Sequence, residues 1–207
     1  MRAVFEKKDA AIFFSHLDLS RTVARAMRRS KQDIWMSQGF TPRPHLVFTP
    51  PLSLGYESEC EMMDFRLNLG ATLDRAAFEN AFPDTLKIKD VYFPKTKLKD
   101  IAFAKYRILL ETDSTPRDIV TFFDGPVMML KKTKRSEQTV DITQFIKKLE
   151  CTACDSGVII ETVLDLSGTS TLSPSYVIDA LIQGGTEIRK SRVRRLEFLD
   201  ADMNTFR

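Results

Sequence analysis

The sequence predicts an α+β protein of two tandem ferredoxin-like βαββαβ domains with antiparallel sheets, spanning residues 1–97 and 98–207. Three observations carry this. Stretches with strand-like and helix-like periodicity follow one another in the order β-α-β-β-α-β between residues 2 and 93, and a similar order recurs between 106 and 199. A lysine-rich, weakly periodic segment, 95–105, separates the two runs. A chain of 207 residues, 43% apolar, has the length and composition for two small cores.

The elements follow in order. Residues 2–14 hold two apolar stretches around polar Lys7–Asp9 and read as a strand or hairpin. Ser15-His16-Leu17-Asp18 opens a helix reaching about Ser30, with Ser15 as N-cap and Asp18 completing a capping box in place of Glu. Ile34–Met36 and Leu46–Phe48 are short extended pieces around Ser37-Gln38-Gly39-Phe40-Thr41-Pro42-Arg43-Pro44, whose prolines bar helix and central strand alike. Strand is expected at Glu61–Leu69, helix at Leu73–Phe82 and strand at Leu86–Phe93. In the second run Tyr106–Glu111 and Val127–Lys132 read as strands. The helix between them starts at Pro116 and ends near Gly125. Val140–Leu149 and Val158–Leu166 read as extended. Pro174–Gln183 is a helix capped by Ser173 and stopped by Gly184-Gly185, and Arg192–Leu199 is the last strand.

The composition excludes disorder and a fibrous fold, and no apolar run approaches the ~20 residues of a membrane span. Charges come too soon at the N-terminus for a signal peptide, and three cysteines do not make a disulfide framework, so a cytoplasmic location is expected. The net charge of +3 hides segregation. Residues 1–50 carry nine Lys/Arg against four Asp/Glu, and residues 51–68 carry four Asp/Glu against one Arg.

That segregation marks the candidate sites. On the first helix Arg21, Arg25, Arg28 and Arg29 fall within about a third of the circumference, opposite Leu19, Val23, Ala26 and Met27. Such a stripe is either a solvated face or a phosphate-binding one, since the guanidinium fork suits phosphate. In the loop, Gly39 frees the backbone and Phe40 either stacks on a base or enters the core. Arg43 stands between two prolines that stiffen it. Glu57, Glu59 and Glu61 alternate onto one strand face and call for compensation, most simply by an arginine of the helix. Further basic clusters are Lys95/Lys97/Lys99/Lys105/Arg107, Lys131/Lys132/Lys134/Arg135 and Arg189/Lys190/Arg192/Arg194/Arg195.

Catalytic signals are sparse. His16 and His45 are the two histidines, each able to act as a base near neutral pH, or to serve as structural side chains. No P-loop, dinucleotide fingerprint or Ser/His/Asp arrangement is present, and no cofactor or metal is expected. Cys151 and Cys154 form a C-x-x-C without a second pair for structural zinc.

Phe14-Ser15-His16-Leu17-Asp18-Leu19 with Arg21, Arg25-Ala26 and Arg28-Arg29 resembles the radical-SAM-linked family of bacterial proteins. So do Ser37-Gln38-Gly39-Phe40-Thr41-Pro42-Arg43-Pro44, Pro51-Leu52-Ser53-Leu54-Gly55 and Glu57-Ser58-Glu59. The resemblance implies a radical-SAM protein as partner and a part in RNA metabolism. It adds Ser15, Asp18, Ser37, Gln38, Gly39, Glu57 and Glu59 to the candidate site. This chain lacks the C-x-x-x-C-x-x-C spacing of a radical-SAM cluster, so an accessory RNA-binding or substrate-presenting role is expected. Two other readings stand beside it. One is a metal-independent endoribonuclease with a histidine general base, similar in predicted fold to CRISPR-RNA-processing endonucleases. The other is a module that docks onto the radical-SAM protein.

Overall fold

The computed structural model describes residues 1–132, 137–168 and 171–207 as a mixed α+β protein with mostly antiparallel sheet. The chain separates into two compact units, Met1–Asp100 with Arg207, and Ile101–Phe206.

The first unit contains β1 (Arg2–Lys7), α1 (His16–Arg29), β2 (Leu46–Phe48), β3 (Glu57–Phe65), α2 (Arg75–Glu79) and β4 (Ile88–Tyr92). Its strands lie in the order β4-β1-β3-β2, each pair antiparallel. The second apolar stretch near the N-terminus does not pair as a hairpin. Asp9 takes a positive φ of 51°, the chain leaves β1, and Asp9–Phe13 winds into a 3-10 turn.

Both ends of α1 are set by local chemistry. The Ser15 Oγ accepts from the Asp18 backbone N–H at 3.2 Å, and Asp18 Oδ2 accepts from the Ser15 N–H at 3.2 Å. At the far end Lys31, at φ 54°, turns the chain out of the helix. Leu19, Val23, Ala26 and Met27 are buried and pack with Phe5, Met63, Phe65, Phe78 and Leu86. Phe65 and Phe78 stack at 5.2 Å between centroids. Each such side chain contributes on the order of 1.5–3 kcal/mol through removal from water.

Strand β3 starts earlier than the sequence suggests, at Glu57, because its charged first half pairs with β1. It also ends earlier, and Leu67 instead bridges Ile34. Helix α2 has five residues rather than ten. The Asp74 side chain accepts from the Ala77 N–H at 3.1 Å, so the helix can begin only at Arg75.

The second unit contains β5 (Phe103–Glu111), α3 (Pro116–Phe122), β6 (Met128–Lys132), β7 (Glu137–Asp141), β8 (Ile146–Cys154), β9 (Gly157–Asp165), α4 (Pro174–Gln183) and β10 (Lys190–Leu199). Four strands lie in the order β10-β5-β9-β8, all antiparallel, and β6-β7 form a separate hairpin. Tyr106, Ile108, Leu110, Ile160, Leu164, Val177, Leu181 and Phe198 are buried within this unit. The stretch 140–149 is broken where the sequence suggests continuous extension. Asp141 Oδ1 accepts from the N–H groups of Val127 and Thr143, both at 3.0 Å, and starts a 3-10 turn over Ile142–Phe145. Among the described residues no helix is long and apolar enough to cross a membrane.

Candidate functional site

The candidate residues of the first unit divide between the two ends of α1. At its C-terminal end stands the loop 37–43. It is closed twice by one pair, because the Ser37 N–H donates to the Arg43 carbonyl at 2.8 Å and the Arg43 N–H donates to Ser37 Oγ at 3.0 Å. Below this closure Met36 and Pro44 form an antiparallel bridge. Gly39 makes the turn at φ 135°, a conformation L side chains resist. Phe40 beside it is fully exposed, so the alternative of a core side chain is excluded. Gln38 lies on the same turn, exposed. Trp35 and His45, just below the loop, meet edge to face at 6.2 Å.

The arginine stripe of α1 is exposed along its length, but its four members do different things. Arg28 Nη2 donates to the Pro42 carbonyl at 2.9 Å and so ties the loop to the helix. Arg29 donates through Nε, at 3.2 Å, and through Nη2 to the Ala81 carbonyl just beyond α2. Arg29 is therefore a structural clamp rather than a free cation. Arg21 lies in the field of Asp18, which, with the Ser15 hydrogen bonds as the larger cause, holds the Asp18 carboxyl below the usual range. Among the described residues the Arg25 and Arg43 guanidinium groups have no protein acceptor. Of the helix and loop arginines, Arg25 and Arg43, with Arg21 beside Asp18, are the ones left available to a ligand.

At the N-terminal end of α1, His16 packs edge-on against Phe48 at 5.6 Å. It lines a small chamber with Phe14, Ser15, Thr49, Pro51 and Leu52, whose inner wall is Lys7 and Glu61. Three of the sequence segments named above thus meet around one space. Of His16, Arg21, Arg25, Arg43 and Glu59, His16 alone lines it, and His45 belongs to the other end of the helix.

The acidic stripe differs from its expected form. The pairing of β3 with β1 shifts register between Ser58 and Glu61, so alternation does not carry Glu57 and Glu59 onto the face of Glu61, which continues into Met63 and Phe65 and is covered by α1. Glu61 is buried and accepts from Thr49 Oγ1 at 3.3 Å. Glu57 and Glu59 are half-buried and engaged. Compensation by Arg28 or Arg29 is not available, because both are committed to backbone carbonyls. Sequence reasoning missed Lys7 and Thr49 as site residues. The only available signal was the continuation of the Ala3-Phe5 face of β1 onto Lys7.

The remaining basic clusters are neutralised only in part. Lys105 and Arg107 both pair with Glu161, at 3.0 and 2.6 Å. Arg189 pairs with Asp113 at 2.8 Å. Arg195 is buried against Tyr106 and Phe198, 5.5 and 4.8 Å from their ring centroids. Lys134 and Arg135 lie outside the described residues. Cys151 and Cys154, three apart on β8, point to opposite faces, and both are free thiols. Among the described residues no group of three His, Cys, Asp or Glu side chains is placed to hold a metal ion.

Fold and site together define an α+β protein with an exposed arginine helix and an aromatic loop on its first antiparallel sheet unit. The chain belongs to the family described as "Uncharacterized protein conserved in bacteria (DUF2344)", whose model matches residues 1–174. No curated protein matches the sequence. One of the solved structures it resembles is a chain of the crystal structure of a Cbf5-Nop10-Gar1 complex. The TM-score is 0.51 and the identity 11%, covering 95% of this chain and 48% of that one. The chain spans about half the length of that relative, and at this identity the likeness shows the fold alone.

Proposed function

We propose that this protein binds single-stranded RNA and presents it to a radical-SAM enzyme, contacting the strand through the 37–43 loop and the arginines of α1. The observation that carries this is the fully exposed Phe40, held at the tip of a doubly closed loop that also carries Arg43, with exposed Arg25 one turn before the loop-tying Arg28 on α1. An aromatic ring in water is disfavoured unless a partner covers it, and a base supplies a face of matching shape. Arg25 and Arg43 supply the phosphate contacts, while Arg28 positions the loop. We read the two sheets, each with its fourth strand beside its first and its third beside its second, as two ferredoxin-like domains. The RNA reading draws support from that architecture by analogy alone. The radical-SAM pairing rests on the sequence resemblance, and copurification of this chain with such an enzyme tests it.

RNA binding is tested by fluorescence anisotropy with a labelled single-stranded oligonucleotide. Phe40→Ala and the double change Arg25→Ala/Arg43→Ala are each expected to weaken binding about tenfold or more. The double change should also flatten the salt dependence by about 1.4 in log–log slope. All three side chains are exposed, so folding is retained. Unchanged affinity in both variants overturns the reading.

A further inference from the structure

Strand β8 is a sheet edge. Its neighbour is β9 on one side, and among the described residues no strand pairs with its other side. The tight turn at Asp155-Ser156 closes on the facing pair Cys154 and Gly157, which fixes the phase of the ladder. From there Thr152 and Glu150 exchange bonds with Ile159 and Glu161 of β9, while the N–H and C=O groups of Ala153, Cys151 and Leu149 point away from it. The Thr162 hydroxyl, which donates to the Lys148 carbonyl at 2.8 Å, agrees with this phase. Among the described residues these outward groups have no partner.

Natural sheet edges are blunted by bulges and lysines. Strand β8 has both at its start, where the register shifts between Ile146 and Lys148 and where Lys147 and Lys148 are exposed. The rest, Leu149-Glu150-Cys151-Thr152-Ala153, has neither. There the core face is also unfinished. Leu149, Cys151 and Ala153 continue the face of β9 that carries buried Thr162, Ile160 and Val158, yet Ala153 is exposed and the other two are only half-buried. Helix α3, which packs against β8, leaves Val120 exposed. An open edge with an unfinished apolar face gains by pairing with another strand.

The side chains select which strand. We infer that β8 pairs with β8 of a second copy of this chain, antiparallel about a two-fold axis at Cys151. In this register Leu149 faces the other copy's Ala153, so a large side chain meets a small one on the core face. Glu150 faces the other copy's Thr152 on the open face, where the hydroxyl can donate to the carboxylate. Lys148 comes beside the other copy's Asp155, an exposed carboxylate with no partner among the described residues. Each outward N–H of Leu149, Cys151 and Ala153 meets a carbonyl. Other registers lose this. A two-fold axis at Glu150 sets like carboxylates directly opposite, which is destabilising. An axis at Leu149 runs the pairing into the bulge, and one at Thr152 runs it into the turn. The pairing is isologous, closes on two copies and is independent of the RNA reading above.

Sedimentation equilibrium of the full chain from about 1 to about 500 µM tests this, since one strand pair is below the standard interface size and a dissociation constant of about 10–100 µM is expected. Amide exchange followed by NMR reads the register. The N–H groups of Leu149, Cys151 and Ala153 should exchange more slowly as the concentration rises, while those of Glu150 and Thr152 stay protected throughout. Ala153→Pro removes an outward donor and no bond within the sheet, and should weaken the dimer about tenfold. Asp155→Lys, on the exposed turn, should weaken it about fivefold, and Lys148→Glu/Asp155→Lys should restore it. The charge swap decides the matter where the proline variant does not fold. A chain that stays monomeric, with the three amides exchanging alike at every concentration, overturns the inference and assigns the edge to a strand of another protein. A dimer that keeps its strength in both Ala153→Pro and Asp155→Lys uses another face and overturns it as well.

Discussion

Arg2 and Asp64 stand directly opposite each other on β1 and β3 and are joined by two parallel bonds, Nε to Oδ1 at 2.8 Å and Nη2 to Oδ2 at 3.0 Å. The guanidinium is fully buried and also donates to the Thr96 hydroxyl and carbonyl, at 3.1 and 3.0 Å. One side chain thus fixes the register of β1 on β3 and holds the segment that follows β4. Arg2→Met removes one partner of a nearly buried pair, which costs on the order of 3 kcal/mol. Urea denaturation should show this loss, while Arg2→Met/Asp64→Leu should recover part of it. Equal stability of wild type and Arg2→Met would show that the pair contributes nothing.

Gly157 opens β9 at φ 144°, and a Cβ there would lie 2.3 Å from the Leu110 carbonyl oxygen and 2.7 Å from the Thr112 nitrogen. Both neighbours are backbone, so neither can move aside cheaply. Gly157→Ala is expected to destabilise the protein by about 1–3 kcal/mol. Gly125→Ala, where a Cβ would meet nothing, is the control. Thermal unfolding of the two variants should separate them.

Two helices begin with the same reciprocal cap, Ser15 with Asp18 and Thr115 with Asp118. For Asp118 the backbone bond from Thr115 is the largest cause of a lowered carboxyl pKa, and for Asp18 it is the hydrogen bond with the Ser15 side chain. A carboxyl lowered in the folded state favours folding above its unfolded value, near pH 4, and that contribution is lost as the pH falls through the folded value. Stability should therefore fall below about pH 4, and less steeply in Asp18→Asn/Asp118→Asn. Chemical denaturation from pH 6 to pH 2 measures the difference. Identical slopes would remove the caps as a cause.

Burial pushes the Cys151 thiol up to about 11. At pH 8 its thiolate fraction is on the order of 10⁻³, so alkylation should be slow. Mass spectrometry after brief iodoacetamide treatment should find Cys151 largely unmodified, with its rate rising about tenfold for each pH unit up to 10. A rate independent of pH would contradict this environment.

Much of the fold was legible because it is written locally. The limits of α1 follow from Ser15, Asp18 and the apolar spacing of Leu19, Val23, Ala26 and Met27, and Pro174–Gln183 follows from Ser173 and the paired glycines. What escaped depends on distant partners. Nothing near Arg29 in sequence signals that it clamps Ala81, 52 residues away. Nothing near Glu61 shows that α1 covers it, because alternation assigns a face without saying which face is buried. The candidate site was legible as a set of segments. Its division into a loop end and a cavity end was not, because that depends on which way each side of α1 turns.

The bond from Arg28 to the Pro42 carbonyl has a consequence for rates. With both ends of the loop tied before any partner arrives, Phe40 does not have to search for its position during an encounter. Association is then expected to run at the speed of diffusion and charge attraction rather than at the speed of loop ordering. Cutting that tie, as in Arg28→Ala, should slow capture while leaving the lifetime of the formed complex nearly the same.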